Sequence, residues 1–134
     1  MRNLGRIAVV FAAVAGLFGL VQSPAFAIEA TCSYNDGDDG GKSCWIYHQN
    51  KAGSRVDMVY FWSYGEQLTL SDYDANGEGV MAYVNGVEYW WTRGNQTGYT
   101  WNLSFAEGTT VKITSCQTDG TKDPYDCHTE YAIA

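Results

Sequence analysis

Residues Val80-Met81-Ala82-Tyr83-Val84-Asn85-Gly86-Val87-Glu88-Tyr89-Trp90-Trp91 decide the fold class. Two alternating runs flank Asn85-Gly86, a dipeptide that tolerates the two positive φ angles of a type I′ turn, so the segment predicts a two-residue β-hairpin. A turn of that length fixes the register. Val84 faces Val87, Tyr83 faces Glu88, Ala82 faces Tyr89, Met81 faces Trp90 and Val80 faces Trp91. One face, made of Val80, Ala82, Val84, Val87, Tyr89 and Trp91, is wholly apolar and belongs against a core. The other carries Met81, Tyr83, Glu88 and Trp90.

The same period of two extends in both directions along the chain. Residues 43–49 alternate as a strand. In residues 55–64, Val56, Met58, Tyr60, Trp62 and Tyr64 share one face while Val59 and Phe61 take the other, the mark of a strand covered on both sides. Leu68 and Leu70 point inward from residues 66–71, and Tyr99, Trp101, Leu103 and Phe105 alternate with Thr100, Asn102 and Ser104. Val111 and Ile113 do the same in residues 110–116, and residues 127–133 make a last strand. The acidic, glycine-rich residues 34–41 have no periodicity and read as loop. With no amphipathic helical window, seven to eight short strands at this spacing predict an all-β domain, an antiparallel β-sandwich or flattened barrel.

Ahead of this domain, Arg2 and Arg6 frame a short basic start, residues 7–21 are uncharged, and Ala25-Phe26-Ala27 closes a small-x-small cleavage pattern. This is the form of a secretory signal peptide, residues 1–27, with cleavage after Ala30 the alternative. The 15 residues from 7 to 21 fall short of the roughly 20 needed to span a bilayer. Losing two of eight basic residues leaves six against fifteen acidic, a net charge of -9 on residues 28–134. Such a surface repels phosphate backbones and anionic lipid, so neither nucleic acid nor a membrane is an expected partner.

Cys32, Cys44, Cys116 and Cys127 form an even set in an exported chain, which predicts two disulfides. Pairing Cys32 with Cys44 and Cys116 with Cys127 closes two short loops without crossing the molecule. A zinc site lacks the paired-cysteine knuckle it would need, and only His48 and His128 could complete one.

The stretch from Leu103 to Ile113, followed by Cys116 and Cys127, resembles the C-terminal part of small secreted proteins of streptomycetes and related actinobacteria. Asp74-Ala75-Asn76-Gly77 sits where such proteins carry an aspartate- and glycine-containing turn. The resemblance spans roughly residues 60–132 and implies a secreted β-rich domain with no assigned activity, so it brings no catalytic residues.

Asp72-Tyr73-Asp74-Ala75-Asn76-Gly77 matches the first six positions of a calcium loop, but Tyr83 occupies the twelfth, where glutamate is required, and a strand follows instead of a helix. What stays open is a looser calcium site with Asp72, Asp74 and Asn76 as ligands, against a plain solvated turn built from the same residue types. No other cofactor is expected. For hydrolysis, His128, Glu130 and Arg93 are the set a small ribonuclease would use. No serine elbow, phosphate loop or H-E-x-x-H motif accompanies them.

Seventeen aromatics against thirteen Leu, Ile and Val in residues 28–134 predict an aromatic β core first, with some of the rings left facing solvent to bind a ligand as the sharper reading. The expectation is therefore a secreted, non-enzymatic binding module whose extracellular ligand is a carbohydrate or a protein, docking on Tyr83, Glu88 and Trp90. An inhibitor of an extracellular hydrolase and a small hydrolase such as a ribonuclease are the rival readings.

Overall fold

The computed structural model describes residues 27–35, 37–94, 97–120 and 123–134. They form nine strands and no helix: β1 (Ala27–Tyr34), β2 (Lys42–Gln49), β3 (Arg55–Trp62), β4 (Gln67–Asp72), β5 (Gly79–Val84), β6 (Val87–Trp91), β7 (Thr97–Asn102), β8 (Thr110–Thr118) and β9 (Pro124–Ile133). Every pairing is antiparallel. Along the sheet the order is β6-β5-β8-β9-β2-β3-β4-β7, with β1 paired to β2 off that path. The sheet curls until its two end strands, β6 and β7, meet through side chains, giving a nearly closed barrel.

The hairpin register is the one the Asn85-Gly86 turn dictates, all five pairs included. Asn85 and Gly86 take φ of 48° and 86°, both in the left-handed region that the turn needs. The disulfides are Cys32–Cys44 and Cys116–Cys127. Cys32 and Cys44 stand directly opposite one another on β1 and β2. The second bridge sits at a bulge: Ser115 pairs with His128 and Gln117 with Tyr125, so β9 places both Asp126 and Cys127 opposite the single Cys116. Asp126 absorbs the extra residue with a φ of 47°.

The core lies inside the curl. Ile46, Val59, Phe61, Leu68, Leu70, Val80, Ala82, Val84, Val111 and Ile113 are fully buried there, one alternate face of β2, β3, β4, β5 and β8. Leu103 and Phe105, which continue the alternation of β7 past its last pair, pack against the same cluster.

Three local differences from the sequence pattern have physical causes. The sequence pattern assigns no strand to residues 28–33 and so misses β1, whose run Ala27-Ile28-Glu29-Ala30 is too short and small to announce a strand, and which forms by pairing with β2 along its length. β3 ends at Trp62, since Gly65 and Glu66 at φ of 79° and 44° turn the chain before Tyr64 can join the ladder, and its outer face is only half covered. Within the hairpin, Val87 is 56% exposed despite its core-facing parity, because β6 ends the sheet with no ladder on that side and meets β7 only through the rings of Tyr89 and Trp91. Met81, on the outward face, is fully buried, because β5 is interior and Met81 faces Cys116 of the bridged β8.

Burial and parity thus make different forecasts, which substitution separates. Phe61→Ala should cost about 3–5 kcal/mol, whereas Val87→Ala, core-facing by sequence, should cost under about 1 kcal/mol, read from denaturant midpoints.

Candidate functional site

Where β6 and β7 meet, the joint is aromatic. Trp91 and Tyr99 stack with centroids 5.8 Å apart and planes 26° from parallel. Tyr99 meets Trp101 edge-on at 4.6 Å, and Trp101 meets Tyr89 at 5.4 Å. Trp91 Nε1 donates across the joint to the Thr97 carbonyl at 3.1 Å, which fixes the indole plane. Cross-strand rings of this kind hold two strands together where no ladder does.

This joint opens as a cleft of about 380 Å³ lined by Trp90, Trp91, Thr92, Arg93, Tyr99 and Trp101. Tyr99 is 50% exposed and Trp90 39%. The Arg93 guanidinium lies 5.1 Å from the Trp91 ring centroid, a cation–π distance. Asp72 holds the connection in place: its Oδ2 accepts the Gly94 amide at 2.8 Å and its Oδ1 the Asp74 amide at 3.3 Å. Apolar rings with a few fixed polar groups, in a cleft of this size, are the ingredients of a small-ligand site.

A second concentration of chemistry lies inside the barrel, where alternation places polar residues at core positions. His48 continues the inward face of Ile46, Asp57 that of Val59, Asp72 that of Leu70, and Ser115 and Gln117 that of Ile113; all are buried. His48 Nδ1 is 2.5 Å from Asp57 Oδ1, and His48 Nε2 is 2.9 Å from the Asp126 carbonyl oxygen. A carbonyl can only accept, so Nε2 carries a hydrogen and donates to Asp126. The bulge and its left-handed Asp126 aim that carbonyl at the imidazole. Nearby, burial and the Glu78 carboxylate push the Tyr125 phenol well above its usual range.

The candidate residues read from sequence separate. Trp90 lines the cleft, while half-buried Tyr83 and exposed Glu88 face each other on the outer side of the hairpin, outside the cleft lining. Asp72 commits both carboxylate oxygens to backbone amides, and Asn76 Oδ1 accepts the Glu78 amide at 2.8 Å. Asp74 and Asn76 are exposed on the same turn. Among the described residues, no group of three or more His, Cys, Asp or Glu side chains converges as a metal site. His128 and Glu130 are joined at 2.9 Å, but Arg93 follows β6, and β5 and β8 lie between β6 and β9. The sequence shows Trp91, Tyr99 and Trp101 only as core-facing residues and His48 only as one of two histidines, and it does not single out Asp57.

Burial, opposed by hydrogen bonds to His48 and Gln117, raises the Asp57 carboxyl above its ordinary value of 3.8. Burial likewise raises Asp72, against the pull of the Asp74 and Gly94 amides. Both groups therefore bind a proton more tightly folded than unfolded, so their stabilising contribution is complete below pH 3.8 and is lost as pH rises through the raised folded values. Asp57→Asn keeps a hydrogen-bonding side chain, with its amide N–H as donor, for His48 and cannot ionise. Its melting temperature should fall less steeply than that of the parent chain in the window immediately above pH 3.8, and equal slopes would contradict the assignment.

No family model, no curated protein and no solved structure matches the chain.

Proposed function

We propose that the protein is a secreted, non-enzymatic binding module whose ligand is a glycan held in the cleft between β6 and β7. The observation that carries this reading is the half-exposed Tyr99 ring stacked on Trp91 at the cleft. A sugar ring has an apolar C–H face and a rim of hydroxyls, so it gains from leaving water against a flat ring and from polar groups at the edge. Tyr99, Trp101 and Trp90 supply the rings; Thr92 and Arg93 supply the edge. The Trp91 platform is already locked by its bond to Thr97, which lowers the ordering cost of binding.

Export is supported by the leader pattern and by two disulfides, which persist in oxidising compartments. No helix among the described residues is long and apolar enough to cross a membrane. Cleavage after Ala27 removes one residue of β1, whereas cleavage after Ala30 removes the pairs to Gln49, His48, Tyr47 and Ile46. Mass spectrometry of protein recovered from the medium should therefore find a chain beginning at Ile28; one beginning at Thr31 would contradict this.

Titration with neutral oligosaccharides of glucose, mannose and N-acetylglucosamine, followed by tryptophan fluorescence, tests the binding itself. At least one should perturb the emission, and Tyr99→Ala should weaken it about tenfold or more, equivalent to about 1.4 kcal/mol, whereas Tyr89→Ala, at the same joint but outside the cleft lining, should keep it. Absence of any response, together with stoichiometric loss of a protease or amylase activity, would replace this reading with that of an inhibitor.

A further inference from the structure

A second aromatic surface lies on the outside of the barrel, away from the seam. On the outer face of β2 and β3, Trp45, Tyr60 and Trp62 form a run of edge-to-face contacts with centroids 5.9 and 5.6 Å apart. None of the three belongs to the core cluster, and Trp62 is 40% exposed. Beyond Trp62 the run reaches a cleft of about 380 Å³ lined by Asn35, Gly37, Trp62 and Tyr64. The core cluster is built without these rings, and Trp45 and Tyr60 are half-buried beside the exposed Trp62.

The ladder decides what surrounds them. Thr31, Trp45, Tyr60, Thr69 and Thr100 stand in one row across β1, β2, β3, β4 and β7. Trp62, Gln67 and Asn102 stand in the next. Neither row holds a charged residue, in a chain with 15 acidic and 8 basic ones. The Thr69 and Thr100 hydroxyls bond each other at 2.8 Å at the surface, one donating, which leaves further acceptor capacity outward. An ionic ligand would lose its hydration here and find no counter-charge, and a purely apolar one would strand the hydroxyls and amides. A neutral polyol avoids both costs: its C–H faces cover the indoles and its hydroxyls meet Gln67, Asn102 and the threonines.

Extent narrows the class. Five strands at about 4.8 Å spacing give a longer row of roughly 19 Å beside a shorter one, an open face with no walls to close round an isolated chain. We propose that this face is a second binding site, for neutral polysaccharide chains lying side by side on an insoluble particle. The face stands independently of the cleft; only the consequence that the protein bridges a particle and a soluble chain rests on the seam also binding glycan, since two sites on one rigid body act in concert.

Retention on microcrystalline cellulose and on chitin, at matched surface area, tests the face. The parent chain should be depleted from solution by one of them. Thr100→Lys, which puts a charge on the row without touching the core, should reduce retention about tenfold or more, as should Trp62→Ala; Tyr99→Ala should leave it unchanged. Binding of soluble oligosaccharide should show the reverse pattern, so failure of the seam and failure of the face are separately visible. The proposal is overturned if neither particle retains the parent chain, if Tyr99→Ala alone abolishes retention, or if sedimentation finds a dimer that Thr100→Lys dissolves while retention stays as it was.

Discussion

A sheet that curls must either close on itself or end, and this one ends at β6 and β7. Their unpaired edges would invite other chains, a liability that proteins cover, charge or shorten. Here the edges are brought together and the gap is filled with rings, Trp91 on Tyr99 and Tyr89 on Trp101, with one indole N–H reaching across. The position of every strand between depends on that joint, since the curl needed to bring β6 to β7 is what turns Ile46, Phe61, Leu70 and Ile113 toward a common interior. Because the filler is aromatic and only half covered, the same device that protects the edges leaves a surface suited to a sugar.

Polar residues occupy part of the interior that apolar ones could have filled. His48, Asp57, Asp126 and Gln117 tie β2, β3, β8 and β9 together through hydrogen bonds with strict geometry. A buried pair of this type is poor at adding stability over an apolar pair but strict about placement, because breaking it leaves uncompensated polar atoms. It also gives the bulge at Asp126 a reason: only with the extra residue does a backbone carbonyl of β9 turn toward the imidazole.

Most of the fold was legible because alternation and turn chemistry are local. Asn85-Gly86 dictated a register that the structure keeps pair for pair, and Leu68, Leu70, Val111 and Ile113 all point where parity sends them. What parity lacks is the position of a strand in the sheet. Val87 and Val84 are equivalent in sequence, yet one is exposed and one buried, because β6 is an edge and β5 is not. The cleft was hidden for the same reason: Trp91 and Tyr99 come from strands whose adjacency arises only when the sheet closes, and no spacing in the chain encodes it. Trp90 was found because a large ring on the outer face of a hairpin is conspicuous by itself.

The two disulfides join residues only 12 and 11 apart in sequence, on strands already neighbours in the ladder. They therefore staple local hairpins and leave the long-range pairings, β2 with β9, β5 with β8 and β4 with β7, to form by chain diffusion. Oxidation can thus be complete while the barrel is still open, and the slow part of folding is the search for distant partners, a search that high contact order prolongs. In this protein a correct disulfide pattern reports that the hairpins have formed and says nothing of whether the barrel has shut.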